Sequence, residues 1–106
     1  MTIKNSNQKS EIFRRWVDQR NWNELKQQSE AAYGVSRKAE LLPFIALANA
    51  QLGLIQAGRD AAGRAEAALD QLDTAAKVDL AAVYLLAQLP QKASHLLEAA
   101  VQELPA

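Results

Sequence analysis

Apolar residues return along this chain at the three- and four-residue spacing of a helix face. Ile12, Phe13, Trp16 and Val17 form the first stripe. Asn21 interrupts it, and the pattern predicts a second helix from Trp22 to Tyr33, closed by Gly34, since glycine enters the left-handed conformation without penalty. Ser36 offers a hydroxyl cap for a third helix. Pro43 fits that helix in its first turn, where the missing N–H costs little, so regular helix is expected from about Leu42 to Ala57. It is apolar almost all round (Leu41, Leu42, Phe44, Ile45, Leu47, Ala48, Leu52, Leu54, Ile55) and belongs in the middle of the domain. Gly58 is its expected stop. Asp60 would cap a fourth helix from Ala61 to about Leu72, and Asp73 or Thr74 a fifth through Leu80, Val83, Tyr84 and Ala87. Pro90 suits the first position of a sixth, which carries Ala93, Leu96, Leu97, Ala100 and Val101 and stops at Pro105.

The reading is all-α: about six helices in three antiparallel hairpins, at about 9–34, 37–72 and 74–105, in one domain over 9–106. Residues 1–8, polar and rich in Asn and Gln, are expected to be disordered.

Composition agrees. Hydrophobic residues make up 49% but aromatic ones only 6%, so the apolar content is mostly Ala and Leu, which lose little freedom in helices. Lys plus Arg and Asp plus Glu both number 12, without the basic excess that phosphate neutralisation demands. Residues 1–40 hold eight basic and five acidic groups, and residues 41–106 four and seven, a mild dipole of solvated faces. With no cysteine, disulfides, thiolate metal sites and thiol nucleophiles drop out together. Met1 to Lys9 lacks the apolar core of a signal peptide, and Leu41–Ile55 is too short and too polar to span a bilayer; a cytoplasmic location is the default expectation.

Internal repetition sharpens the fold. Leu25, Ala61 and Ala93 align in the second helices, followed by Ser29, Ala65 and Leu97, then Ala32, Ala68 and Ala100. In the first helices Ile12, Ala48 and Leu80 align, as do Trp16, Leu52 and Tyr84. The anchors lie 36 and 32 residues apart. These positions resemble the tetratricopeptide repeat, a helical hairpin with large residues where Trp16, Leu52 and Tyr84 stand and small ones at Ala61, Ala93, Ala32, Ala68 and Ala100. Leu25 and Asn49 depart from that pattern. The resemblance implies a short right-handed α-solenoid whose first helices line a concave groove for a partner peptide. Carried across, the groove positions are Ser10, Arg14 and Val17; Ala46, Leu47, Ala50 and Leu54; and Val78, Asp79, Ala82, Leu85 and Leu86. The Lys, Asn and Arg with which some relatives clamp a terminal carboxylate are missing save for Arg14. An apolar groove remains, suited to an amphipathic helix. The last hairpin also shows apolar residues with nothing following to cover them, where repeat arrays usually end in a polar cap.

Catalytic signals are scarce. His95 is the one histidine, with no Ser, Cys or carboxylate pair at a diagnostic spacing. Gly53, Gly58 and Gly63 lack the strand and the Lys-Ser or Lys-Thr of a phosphate loop. Asp60, Asp70, Asp73 and Asp79 lack the alternation of a calcium loop and read as caps or a solvated face. Arg14 and Arg15 between Phe13 and Trp16 could touch RNA, but no basic face accompanies them.

No enzyme, metal or cofactor is expected. The expected role is a protein-binding scaffold or small chaperone that takes an amphipathic helix of a partner, or self-associates, with neither nucleic acid nor membrane as partner. In size and three-hairpin design the chain resembles the small tetratricopeptide chaperones of bacterial type III secretion. The alternative is an N-terminal accessory or dimerisation module of a longer enzyme, such as a bacterial methyltransferase or glycosyltransferase.

Overall fold

A computed structural model of the chain describes residues 6–105. It contains α1 (Ser6–Asp18), α2 (Trp22–Ser36), α3 (Leu42–Gln51), α4 (Ile55–Glu66), α5 (Thr74–Leu86) and α6 (Pro90–Gln102), with 3-10 turns at Ala39–Leu41 and Leu69–Gln71. No strand occurs among the described residues. Consecutive helices pair as α1–α2, α3–α4 and α5–α6, while α3 also packs on α2 and α5. Residues 1–5, most of the stretch expected to be disordered, lie outside the described residues, and α1 begins before the expected Lys9.

Three short turns close the hairpins in one geometry. Arg20, Gly53 and Gln88 each take positive φ (57°, 86° and 62°). The N–H of each donates three residues back, to Val17, Ala50 and Leu85, and the next N–H (Asn21, Leu54, Leu89) donates five back, to Trp16, Asn49 and Tyr84. These paired bonds satisfy the last carbonyls of the first helix, which have no partner within it. Asn21, Leu54 and Leu89 each have ψ 68°, and the second helix starts at the next residue, Trp22, Ile55 and Pro90. The turns recur after 33 and 35 residues.

That geometry corrects the register of the middle unit. Gly53, not Gly58, is its turn glycine. Measured from the turns, the residue equivalent to Leu25 and Ala93 is Gly58, and Asn49 stands where Trp16 and Tyr84 stand. Gly58 lies inside α4 for a packing reason: a Cβ there would sit 3.0 Å from the Ala46 carbonyl oxygen and 3.1 Å from the Ala50 Cβ. Asp60 caps nothing and accepts from Gln56 Nε2 instead. The second helix runs through Gly34 to Ser36 and is closed by Arg37 at φ 57°. Ser36 thus does not cap α3; its hydroxyl donates to the Ala32 carbonyl. Pro43 does fall in the first turn of α3, and Asp73 caps α5 by accepting from the Ala76 N–H at 2.8 Å.

The core follows from α3, whose residues from Leu42 to Ala50 are all buried. On one side Ile45, Ala46, Leu47 and Ala50 pack with Ala61, Ala62, Ala65, Leu80, Val83 and Leu96. On the other, Phe13, Leu25, Leu41, Phe44 and Ala48 form a second cluster, with Phe13 edge-on to Phe44 at 5.5 Å. The alanines of α3 and α4 let the backbones approach closely, which dense packing requires. Asn49, 2% exposed, donates to the Ile45 carbonyl and to Glu30, so this buried amide is not left without partners. The radius of gyration is 13.0 Å. No helix among the described residues is long and apolar enough to cross a membrane.

Candidate functional site

The fifth helix, TAAKVDLAAVYLL, hides its charges and shows its apolar residues. Ala76, Leu80, Val83 and Tyr84 define its buried face. Lys77 and Asp79 flank that face and are buried too, each drawn to a partner. The Lys77 amine bonds Glu103 just past α6, where the Thr74 hydroxyl also donates. These bonds hold Glu103 below the usual carboxylate range, Lys77 contributing most. Asp79 meets Arg14 of α1. With both charges turned inward, the solvent-facing side of α5 carries Ala75, Val78, Ala82, Leu85 and Leu86, with Leu85 55% exposed. Water-facing helix surfaces are ordinarily polar, and α5 reverses the rule.

A second apolar stripe runs along α6. Leu97, Val101 and Leu104 are exposed, Val101 by 63%. The two stripes lie on the same edge of the hairpin. Tyr84 marks the opposite edge: its hydroxyl donates to Glu66 on α4, and Lys92 of α6 sits over its ring at 5.3 Å. At 100° per residue, Val78 and Leu85 lie roughly 100–120° round α5 from Tyr84, and Leu97 and Val101 roughly 140–180° round α6 from Lys92, with Leu104 just past the helix end. The Tyr84 edge faces α4, so the apolar edge faces away from it. Burial and Glu66 together push the Tyr84 hydroxyl well above its ordinary pKa.

The nine expected groove residues do not share one concavity. Leu47 and Ala50 are core, each 3% exposed, because α3 is covered on every side. Leu54 is exposed in the α3–α4 turn, and Val17 is half-buried against the main core. Val78, Ala82, Leu85 and Leu86 do lie together on α5. Of the further positions carried across, Ala46 is core, Asp79 is buried, and the Ser10 side chain lies outside the described residues.

Arg14 instead borders a cleft of about 680 Å³ between α1, the start of α3 and the α4–α5 connection. Its walls are charged, with Glu11, Arg15, Asp18, Glu40 and Asp73 beside Phe44. Arg14 lies over the Phe44 ring at 5.2 Å and reaches Asp79. Asp79 is thus neither cap nor solvated face. Burial raises its pKa, with Asp73 and Asp18 adding to the effect, against the pull of Arg14.

His95 is exposed on α6, and among the described residues no three His, Cys, Asp or Glu side chains gather as metal ligands. Compared with known proteins, the chain matches no family model, no curated protein and no solved structure.

Proposed function

We propose that this chain is a protein-interaction module that takes an amphipathic helical segment of a partner polypeptide on the apolar edge of its third hairpin. The observation that carries the reading is the inversion of α5, with Lys77 and Asp79 buried while Val78 and Leu85 face water. A contiguous apolar surface on a domain of this size costs solubility unless something covers it, and an amphipathic helix is the common complement of such a surface. Side chains like Leu85, Val101 and Leu104 gain about 1.5–3 kcal/mol each on full burial.

The tetratricopeptide-like reading belongs to the same proposal. Three superposable turns at intervals of 33 and 35 residues support a helical repeat near the 34-residue length of that family. In this reading the chain acts by binding, as a scaffold or small chaperone. The docking surface is the outer edge of the last hairpin, not a concave groove across all three.

A fluorescent, designed Leu/Lys amphipathic helix tests the proposal by anisotropy titration. Leu85→Glu should weaken its binding at least tenfold with unchanged helical circular dichroism. Equal binding by both proteins would remove the surface from consideration.

A further inference from the structure

We infer that a second copy of this chain docks on the same surface, the two third hairpins packing face to face about a two-fold axis. The inference rests on reading that edge as a docking surface, and it names the occupant.

The molecule itself supplies the match. The large apolar residues exposed among the described positions are Val35, Leu54, Val78, Leu85, Leu86, Leu97, Val101 and Leu104. Six of them lie on the third hairpin. Val35 stands alone near the end of α2, and Leu54 in the α3–α4 turn. A head-to-tail contact would need an apolar counterpart of similar extent on the first hairpin, but the exposed positions of α2 are mostly polar or small, with Val35 the one large apolar residue among them. Among the described residues, the surface that matches the third hairpin's edge in apolar extent is that edge on another copy. A patch that pairs with itself makes an isologous contact, which closes at two copies and leaves no free end for a filament.

Area and charge agree. The exposed parts of Val78, Leu85, Leu97, Val101 and Leu104 amount to on the order of 400 Å² per copy, so two copies approach the roughly 1,000 Å² a specific interface requires. The solvent-facing side of α5 carries no charge, because Lys77 and Asp79 are spent on Glu103 and Arg14. Two such helices can meet without stranding a charge between them, which would oppose association.

The test uses the full chain in multi-angle light scattering and sedimentation, at about 100 µM, above the micromolar dissociation constants common for modest interfaces. The expected mass is twice the 11.6 kDa of one chain. Leu85→Glu and Val101→Glu should each weaken self-association at least tenfold with unchanged circular dichroism, and Gln27→Glu should not. A monomeric wild type, or a dimer that survives both glutamate variants, overturns the inference. The peptide titration separates the two readings. A monomer that binds the designed helix overturns only the second copy, and a monomer that binds nothing overturns the docking surface as well.

Discussion

Arg14 on α1 holds Asp79 on α5 across 65 residues of sequence. Its Nη1 donates to Oδ1 at 3.1 Å, and Nη2 lies 2.8 Å from Oδ2, close enough for charge attraction though outside hydrogen-bond geometry. The pair is unequal. The Asp79 side chain is 9% exposed and that of Arg14 33%, so the acid depends on the base more than the reverse.

Arg14→Ala should therefore destabilise more than Asp79→Asn. The first strands a buried carboxylate, and the second leaves a guanidinium that water can reach. Breaking a buried pair from one side costs about 3–5 kcal/mol, and the partial exposure of Arg14 reduces this to about 2 kcal/mol. The acid supplies a sign check. Its folded pKa is raised, so the associated stability is fully present below the unfolded value of 3.8 and is lost as pH rises through the folded one. Without Arg14 the folded value rises further. Urea melts of Arg14→Ala should regain stability relative to wild type as pH falls from 7 towards 3.8; a gap independent of pH would contradict the assignment.

Glu103 and Glu30 have the opposite sign. Lys77 and then Thr74 lower Glu103. Burial opposes ionisation of Glu30 most strongly, but hydrogen bonds from Lys26 and Asn49 with the Lys26 charge outweigh it. A depressed folded pKa brings stability that is present above the unfolded value of 4.5 and lost as pH falls through the folded one. Glu103→Gln should lower the thermal midpoint at pH 6, and the difference from wild type should shrink as pH falls from 4.5 towards about 2. A constant difference down to that pH would mean the Lys77 contact is not electrostatic.

The four glycines should separate cleanly. A methyl group at Gly58 meets the Ala46 carbonyl oxygen at 3.0 Å, so Gly58→Ala should cost about 1–3 kcal/mol by overpacking. Gly34 and Gly63 lie inside α2 and α4 with nothing within 4 Å of an added Cβ, so alanine should stabilise each by about 0.5–1 kcal/mol. Gly53→Ala has room but must hold φ 86°, and should lose about 1 kcal/mol. Urea midpoints decide, and a stabilising Gly58→Ala would refute the close α3–α4 contact.

These glycines show what was legible in the sequence. Helical periodicity revealed all six helices, and Pro43, Pro90 and Asp73 marked starts that the fold keeps. Gly58 misled because a glycine can serve either a left-handed turn or a tight crossing, and nothing local tells the two apart. That one choice shifted the middle unit by three residues. Leu47 and Ala50 looked like groove walls because α3 is apolar all round, so periodicity cannot say which face is covered. The exposed side of α5 was partly visible in Val78, Ala82, Leu85 and Leu86. Its meaning was not, because Lys77 and Asp79 count as solvated charges until Glu103 and Arg14, 26 and 65 residues away, are seen to meet them.

The turns carry the last prediction. Of three equivalent left-handed positions only one holds glycine; Arg20 and Gln88 occupy the others at φ 57° and 62°. A side chain in that conformation costs about 1–2 kcal/mol, part of which glycine gives back through its greater unfolded-state freedom. Gln88→Gly should thus stabilise by about 0.5–1 kcal/mol, and Arg20→Gly by a similar amount. Arg37 also sits at φ 57°, but its guanidinium stacks over the Tyr33 ring at 5.5 Å. Arg37→Gly removes that contact, worth about 0.5–1 kcal/mol at an exposed site, and should come out near neutral. Thermal melts of the three variants provide the comparison. If Gln88→Gly destabilises while Arg37→Gly does not, the α5–α6 turn does not share the left-handed closure of its counterparts, and the three-hairpin repeat loses its geometric basis.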